Sequence, residues 1–117
     1  MYANMHSARD IIFYKQGMNG GMQQPVSTAE LRDEIADIDS QIIDLIATRV
    51  DITDELAKAK RRSGQDYWDS ATEAHIIERY CELCQEVSLS KDDAEKIAKL
   101  ILAISRERQK KIYDSTD

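Results

Sequence analysis

Three basic side chains stand on or beside a stripe of aliphatic residues that a long helix would present along one face. Arg49 fills the one gap in that stripe, and Arg32 and Lys60 stand next to it toward its two ends. An arginine can hold a carboxylate through two parallel hydrogen bonds, and a lysine ammonium attracts the same group. A pocket that combined these three residues would therefore suit a small dicarboxylate.

The spacing of these cations indicates that a single helix cannot build such a pocket. Arg32 lies 17 residues before Arg49 and Lys60 lies 11 residues after it, which corresponds to ~25 and ~16 Å along a helix axis. An antiparallel partner helix would bring the distal arginine of one chain beside Arg49 and Lys60 of the other. Alternatively, an arginine at a helix seam can extend to solvent or pair with a cross-chain acid such as Asp39 or Asp54.

Two further pairs of polar or sulfur-containing residues could carry chemistry. Ser105 and Gln109 are four residues apart beside apolar neighbours, but taken alone such residues more often face solvent. Cys81 and Cys84 form a C-x-x-C, yet a zinc or redox site would need further ligands or a strand-to-helix turn. We therefore interpret the cysteines as two ordinary thiols and expect no metal.

Composition favours one all-helical domain. The 117 residues suffice for a single core, and only four glycines and one proline occur, too few for the turns of a β-rich fold. The formal net charge of -6 argues against a general binder of nucleic acid or anionic membranes. No segment reaches the ~18 apolar residues of a membrane span. Free cysteines suit a reducing compartment, so we expect a cytoplasmic protein.

Helix-breaking and helix-capping residues divide the chain into a tail and three helices. Residues 1–26 hold all four methionines and three of the glycines, which predicts a flexible N-terminal tail. The helical domain is predicted over residues 27–114. Its helices are expected at about 28–62, 70–86 and 91–113, with caps at Ser27 or Thr28, at Asp69 or Ser70, and at Ser90. Gly64 is suited to end the first helix.

The first helix carries a heptad stripe that needs a partner. A helix over 28–62 would span ~52 Å, longer than a domain of this size. We therefore expect an intertwined helical homodimer. The stripe consists of Leu31, Ile35, Ile38, Ile42, Leu45, Ile52, Leu56 and Ala59.

Taken in order, these residues are similar to a known family pattern. This order resembles the AroQ class of all-helical chorismate mutases, over roughly residues 28–113. The matching runs are Leu31-Arg32-x-x-Ile35-x-x-Ile38-Asp39, Leu45-Ile46-Ala47-x-Arg49, Lys58-x-Lys60, Asp69-x-x-x-Glu73, Ile77-Glu78-Arg79 and Ser105-x-x-x-Gln109.

The resemblance implies a reaction, an assembly and a set of site residues. The reaction would be the rearrangement of chorismate to prephenate in phenylalanine and tyrosine biosynthesis, without cofactor or metal. Each of two sites in a homodimer would use both chains. Arg32 of one chain and Arg49 of the other would hold the carboxylates of chorismate. Lys60 and Gln109 would contact the ether oxygen, and Arg49 would join them as a catalytic residue.

The resemblance assigns the remaining contacts to the second and third helices. Glu73 would accept a hydrogen bond from the ring hydroxyl, the Asp69 backbone would assist, and Ser105 would contact the ring carboxylate. Thr72 stands in this substrate-binding set where the family usually has an arginine. Loss of that charge could weaken binding or shift the preferred substrate.

Two kinds of alternative remain open at this point. Isochorismate pyruvate lyase and 4-amino-4-deoxychorismate mutase are pericyclic enzymes on the same scaffold, and they would keep Arg32, Arg49 and Lys60. Glu73 favours chorismate among these substrates because it is placed to read a hydroxyl. In a non-catalytic helical dimerisation module, these three cations would instead pair with acidic side chains of the protein itself, and the module would bind no ligand.

Overall fold

Three α-helices make up the secondary structure of residues 25–117, the part of the chain that the computed structural model describes. They are α1 (Thr28–Ser63), α2 (Ser70–Glu86) and α3 (Lys91–Asp114). No strand occurs in this range, so the all-helical prediction is confirmed, with helix bounds that agree to within a residue or two. The predicted tail at 1–26 lies outside the described residues apart from its last two positions.

Local side chains fix the ends of the helices. Ser27 caps α1 by accepting a hydrogen bond from the Glu30 N–H at 3.1 Å, and Asp69 caps α2 by accepting one from the Ala71 N–H at 3.0 Å. Gly64 ends α1 with a φ of 74°, a left-handed conformation that glycine adopts without steric cost. Such caps satisfy backbone groups that have no partner within the helix.

The described residues form two compact units, and α3 contributes to both. One unit contains α2 and the first part of α3, residues 68–103. Four residues of α2 are half-buried in this unit: Ile76, Ile77, Tyr80 and Cys81. Its buried residues are Cys84, Ala94, Ala98, Ile101 and Leu102.

The other unit contains α1, the linker up to residue 67 and the last part of α3 from residue 104. Thr53 and Ala57 of α1 are buried, as are Ser105 and Gln109 of α3. This core is small and partly polar. Two of its polar members, Ser105 and Gln109, hold the cations described below, and the Thr53 hydroxyl donates to the Val50 carbonyl at 2.8 Å.

Much of the predicted heptad stripe of α1 is exposed in the single chain. Its large aliphatic side chains are between 45% and 70% exposed, although burying each would contribute ~1.5–3 kcal/mol. The exposed stripe residues are Ile35, Ile42, Leu45, Ile52 and Leu56. None of the described helices combines the length and apolar character needed to cross a membrane.

Candidate active site

The interrupting arginine of α1 contacts a buried serine of α3. Arg49 is half-buried, and its Nη1 donates a hydrogen bond to the Oγ of Ser105. Ser105 is only 3% exposed, so it does not take the solvent-facing position that a serine beside apolar neighbours more often has. Because the serine hydroxyl is neutral, this contact positions the guanidinium against α3 without neutralising its positive charge.

A second contact of the same kind joins the end of α1 to α3. The Lys60 Nζ donates to the Gln109 Oε1 at 2.9 Å and to the backbone carbonyl of Tyr67 at 2.9 Å. Gln109 is 4% exposed, so it too departs from the solvent-facing position that such a residue usually takes. Because the amide oxygen of Gln109 faces Lys60, its NH₂ group points elsewhere and can donate to a ligand.

An ion pair also joins α1 to α3. Each of its two members lies between the residues of the two contacts just described along its own helix. Arg108 donates from Nε and Nη2 to the two carboxylate oxygens of Asp54, each at 2.9 Å. The hydrogen bond and the charge of Asp54 raise the pKa of Arg108. Asp54 was an alternative partner for Arg49 of another chain, but here it pairs with Arg108 of its own chain. No sequence spacing connects two residues so far apart, and sequence reasoning missed the pair.

Tyr113 holds the linker that supports Lys60. Its hydroxyl donates to the Gln65 carbonyl at 2.7 Å, and its ring lies 6.0 Å from the Tyr67 ring. The guanidinium of Arg61 stands 5.1 Å from the centre of the Tyr113 ring, within cation–π range. These contacts fix the segment whose Tyr67 carbonyl accepts from Lys60, a supporting role that no sequence motif indicated.

The remaining predicted site residues lie at the start of α2, in the other unit. The Thr72 Oγ1 donates to the Asp69 Oδ2 at 2.8 Å, so threonine supports the helix cap where the family pattern has arginine. The Trp68 Nε1 donates to the Glu73 Oε2 at 3.0 Å. Glu73 is half-buried, and Asp69 and Thr72 are exposed.

Arg32 does not join the other cations of its own chain. It is exposed in the first turns of α1, and α1 continues without a break to Ser63. Arg32 therefore stands ~25 Å from Arg49 and ~42 Å from Lys60 along the helix axis. Only a second chain could present it to a ligand that contacts either of them.

The pairs on α1 and α3 suit electrostatic chemistry. Arg49 and Lys60 supply positive charge, and the buried Ser105 and Gln109 hold the two cations in fixed positions. Donors held in this way bind carboxylates and stabilise an oxygen that gains negative charge. No cluster of three or more His, Cys, Asp or Glu side chains suited to a metal ion occurs within residues 25–117.

Comparisons with known proteins identify the family to which the chain belongs. The chain matches the family model of chorismate mutase type II over residues 31–110. It is 30% identical over 88 residues to the chorismate mutase of Methanocaldococcus jannaschii, a match that covers 75% of this chain and 89% of that protein. No solved structure matches the chain. The family match spans α1 to α3 with all four of the residues that pair at the helix contacts, and the chain therefore belongs to the chorismate mutase type II family, the all-helical AroQ class.

Proposed function

We propose that this protein rearranges chorismate to prephenate in a homodimer whose two active sites each use residues of both chains. The observation that carries the proposal is the pair of contacts Arg49–Ser105 and Lys60–Gln109, in which buried neutral side chains hold two cations on adjoining helices. The product belongs to the route to phenylalanine and tyrosine. The reaction uses no cofactor, metal or covalent intermediate.

The first task of such a site is to select one conformer of the substrate. Chorismate rearranges only from a compact diaxial form, in which the two carbon atoms that will bond are close. The partner's Arg32 and Arg49 would hold the two carboxylates, and Ser105 would contact the ring carboxylate. Fixing both ends of the molecule favours the reactive conformer over extended ones.

The second task is to stabilise charge as bonds change. In the [3,3] rearrangement the ether C–O bond breaks while a C–C bond forms, and no proton is transferred. Negative charge grows on the ether oxygen in the transition state. Lys60 and the free NH₂ of Gln109 would donate to that oxygen, and such donors raise the rate because they bind the transition state more strongly than the substrate.

Residues at the start of α2 would recognise the ring hydroxyl of chorismate through hydrogen bonds. Glu73 would accept its hydrogen bond, and the backbone of Asp69 would assist. Thr72 belongs to this substrate-binding set without the charge of the usual arginine. Since Thr72 hydrogen-bonds the cap residue Asp69, it would contribute through the shape of this helix end.

The exposed stripe of α1 supports a dimer. Aliphatic side chains at heptad spacing stay exposed in the single chain, which is the pattern of a helix that packs on a partner. A second chain would cover them and supply Arg32. The dimer and the shared site are therefore one proposal, because the same helix provides both.

A direct assay of substrate loss with product identification tests the function. Purified protein is incubated separately with chorismate, isochorismate and 4-amino-4-deoxychorismate, and products are separated and identified. We expect prephenate from chorismate at the highest kcat/KM. Faster pyruvate release from isochorismate, or faster turnover of the amino substrate, would assign the protein to that activity instead. Turnover of none of them would favour a dimerisation module.

A matched pair of lysine variants shows whether the activity comes from this site. Lys60→Ala should abolish most turnover. Lys58→Ala should leave it unchanged, because among residues 25–117 Lys58 pairs with Glu55 one turn earlier, at 3.3 Å, and exposed pairs of this kind contribute little. Equal losses in both variants would contradict a specific role for Lys60.

A further inference from the structure

The start of α2 contains a hydrogen bond that joins a linker residue to the helix. Trp68 stands immediately before the cap residue Asp69, and Glu73 is the fourth residue of the helix that follows. In many helices these two positions hold apolar side chains that pack together and fix the entry of the chain. Here the contact is polar, because the indole Nε1 of Trp68 donates to the Glu73 Oε2 at 3.0 Å.

The backbone around this contact is held as well. The Glu73 N–H donates to the Asp69 carbonyl at 3.0 Å, and the Asp69 side chain accepts from the Ala71 N–H and the Thr72 hydroxyl. The base of the Glu73 side chain is therefore fixed by the helix, and its end by the indole. A glutamate on a helix surface otherwise samples several rotamers.

A carboxylate with one oxygen engaged has a defined direction for the other. The indole N–H can only donate, so it occupies Oε2 as a donor. Oε1 is then directed to a group that donates, such as a hydroxyl, and disfavours a group that only accepts. Glu73 is thus placed to select ligand groups that donate a hydrogen bond.

We propose that Trp68 is a positioning residue that directs Glu73 toward the ring hydroxyl of the substrate. The inference rests on the proposed function, because it assumes that Glu73 accepts from that hydroxyl. Trp68 acts through Glu73 and does not touch the reacting atoms. The ring hydroxyl is present in both the substrate and the transition state. Loss of Trp68 should therefore raise KM more than it lowers kcat.

A double-mutant cycle tests this coupling. Trp68→Phe keeps an aromatic ring and removes the N–H donor, and Glu73→Ala removes its acceptor. We expect Trp68→Phe to lower kcat/KM for chorismate about two- to tenfold, the effect of one ordinary hydrogen bond, mainly through KM. In the Glu73→Ala background, Trp68→Phe should have no further effect. Equal losses in both backgrounds would overturn the inference.

A control variant and a spectroscopic readout separate the possible failures. Tyr80→Phe removes the polar group of another half-buried aromatic in the same unit and should leave KM unchanged. Trp68 is the sole tryptophan, so its emission reports this contact whether or not the protein is active. Glu73→Ala should shift that emission, and Glu78→Ala, which removes an exposed glutamate of the same helix, should not.

Each negative result has a distinct meaning. An unchanged emission spectrum in Glu73→Ala would overturn the contact and with it the inference. A normal KM in Glu73→Ala would overturn the role of Glu73 as a reader of the hydroxyl, and so the positioning role of Trp68. Absence of chorismate turnover in the wild-type protein would instead overturn the proposed function, even where the emission shift is observed.

Discussion

Replacement of Gln109 by glutamate would exchange the proposed neutral donor for a carboxylate without changing its size. Gln109 is 4% exposed, and its Oε1 already accepts from Lys60 at 2.9 Å. Glutamate would keep that contact but lose the NH₂ donor. It would also place negative charge where the ether oxygen gains charge. Loss of one pre-oriented donor of this kind lowers kcat by ~10²–10³, and we expect at least that loss near neutral pH.

The pH dependence of this variant follows from the same geometry. A protonated glutamate presents an O–H that can replace the lost donor, whereas the ionised form cannot donate. While the carboxyl is mostly ionised, each unit of pH decrease multiplies its protonated fraction about tenfold, given an ordinary glutamate pKa of ~4.3. The activity of Gln109→Glu should therefore rise as pH falls from about 8 to about 5. Wild-type activity should stay flat from about pH 6 to 8, because the rearrangement transfers no proton.

Initial rates of chorismate loss across this pH range provide the assay. Gln109→Leu is the matched control, since it removes the donor without adding a titratable group, and it should be impaired at every pH. A Gln109→Glu variant with near-normal activity at pH 7.5 would refute the role of the amide as a donor. A steep acid-side rise in the wild type would indicate that a carboxylic acid of the native protein does this work.

Three further predictions concern assembly, substrate binding and stability. Ile42→Asp should convert the dimer to monomers in light scattering. Leu89→Asp should not, because Leu89 lies outside the heptad stripe, although it is 43% exposed in the single chain and Ile42 is 48% exposed. Dimers of both variants would contradict the stripe as the interface. Thr72→Arg should lower the KM for chorismate by attraction to a dianion. This variant should also lower the melting temperature by a few degrees, because it loses the hydrogen bond to Asp69 and puts a cation at a helix N-terminus. An unchanged KM would mean that the site does not use a positive charge at this position. Burial, followed by nearby charges, raises the pKa of the Cys84 thiol. The unfolded chain therefore ionises first as pH rises, and stability should begin to fall above about pH 8.5 and continue to fall until the folded thiol also ionises. The fall should be smaller in Cys84→Ala, and equal alkaline losses in both proteins would assign it to other groups.

The helices were predictable from the sequence because their signals are local. Ser27, Asp69 and Gly64 act on backbone groups within a few residues of themselves, and the structure places helix ends where these residues stand. The heptad stripe is local in the same sense, since its period alone predicts which side chains share a face. Five of its large side chains are exposed in the single chain, whereas Leu31 and Ile38 are half-buried.

The polar contacts between helices were not predictable from spacing. Ser105 and Gln109 look like surface residues because a serine or glutamine beside apolar neighbours usually is one. Their burial depends on Arg49 and Lys60, about fifty residues earlier in the chain, and only the resemblance to a family brought these four residues together. The contact of Asp54 with Arg108 left no motif at all, because it depends on how α1 and α3 meet. The contact of Trp68 with Glu73 is local, but it was missed because the two positions usually hold a pair of apolar side chains.

The shared active site is the central claim, and subunit complementation tests it most directly. Arg32 and Lys60 are ~42 Å apart on the one continuous helix α1, so a site that uses both residues would have to take them from different chains. Arg32→Ala and Lys60→Ala homodimers should both be nearly inactive. In a mixed dimer one site carries both lesions and the other carries neither.

The measurement is prephenate formation after the two variants are unfolded together and refolded at equal ratio. Random pairing makes about half of the dimers mixed, and each has one intact site of two, so about a quarter of the wild-type activity should return. Each variant refolded alone serves as the control, and simple mixing should restore less because the long helices must first separate. Recovery near a quarter is the predicted result. No recovery, with mixed dimers verified in the sample, would mean that Arg32 and Lys60 do not serve one site across two chains, and would contradict the account.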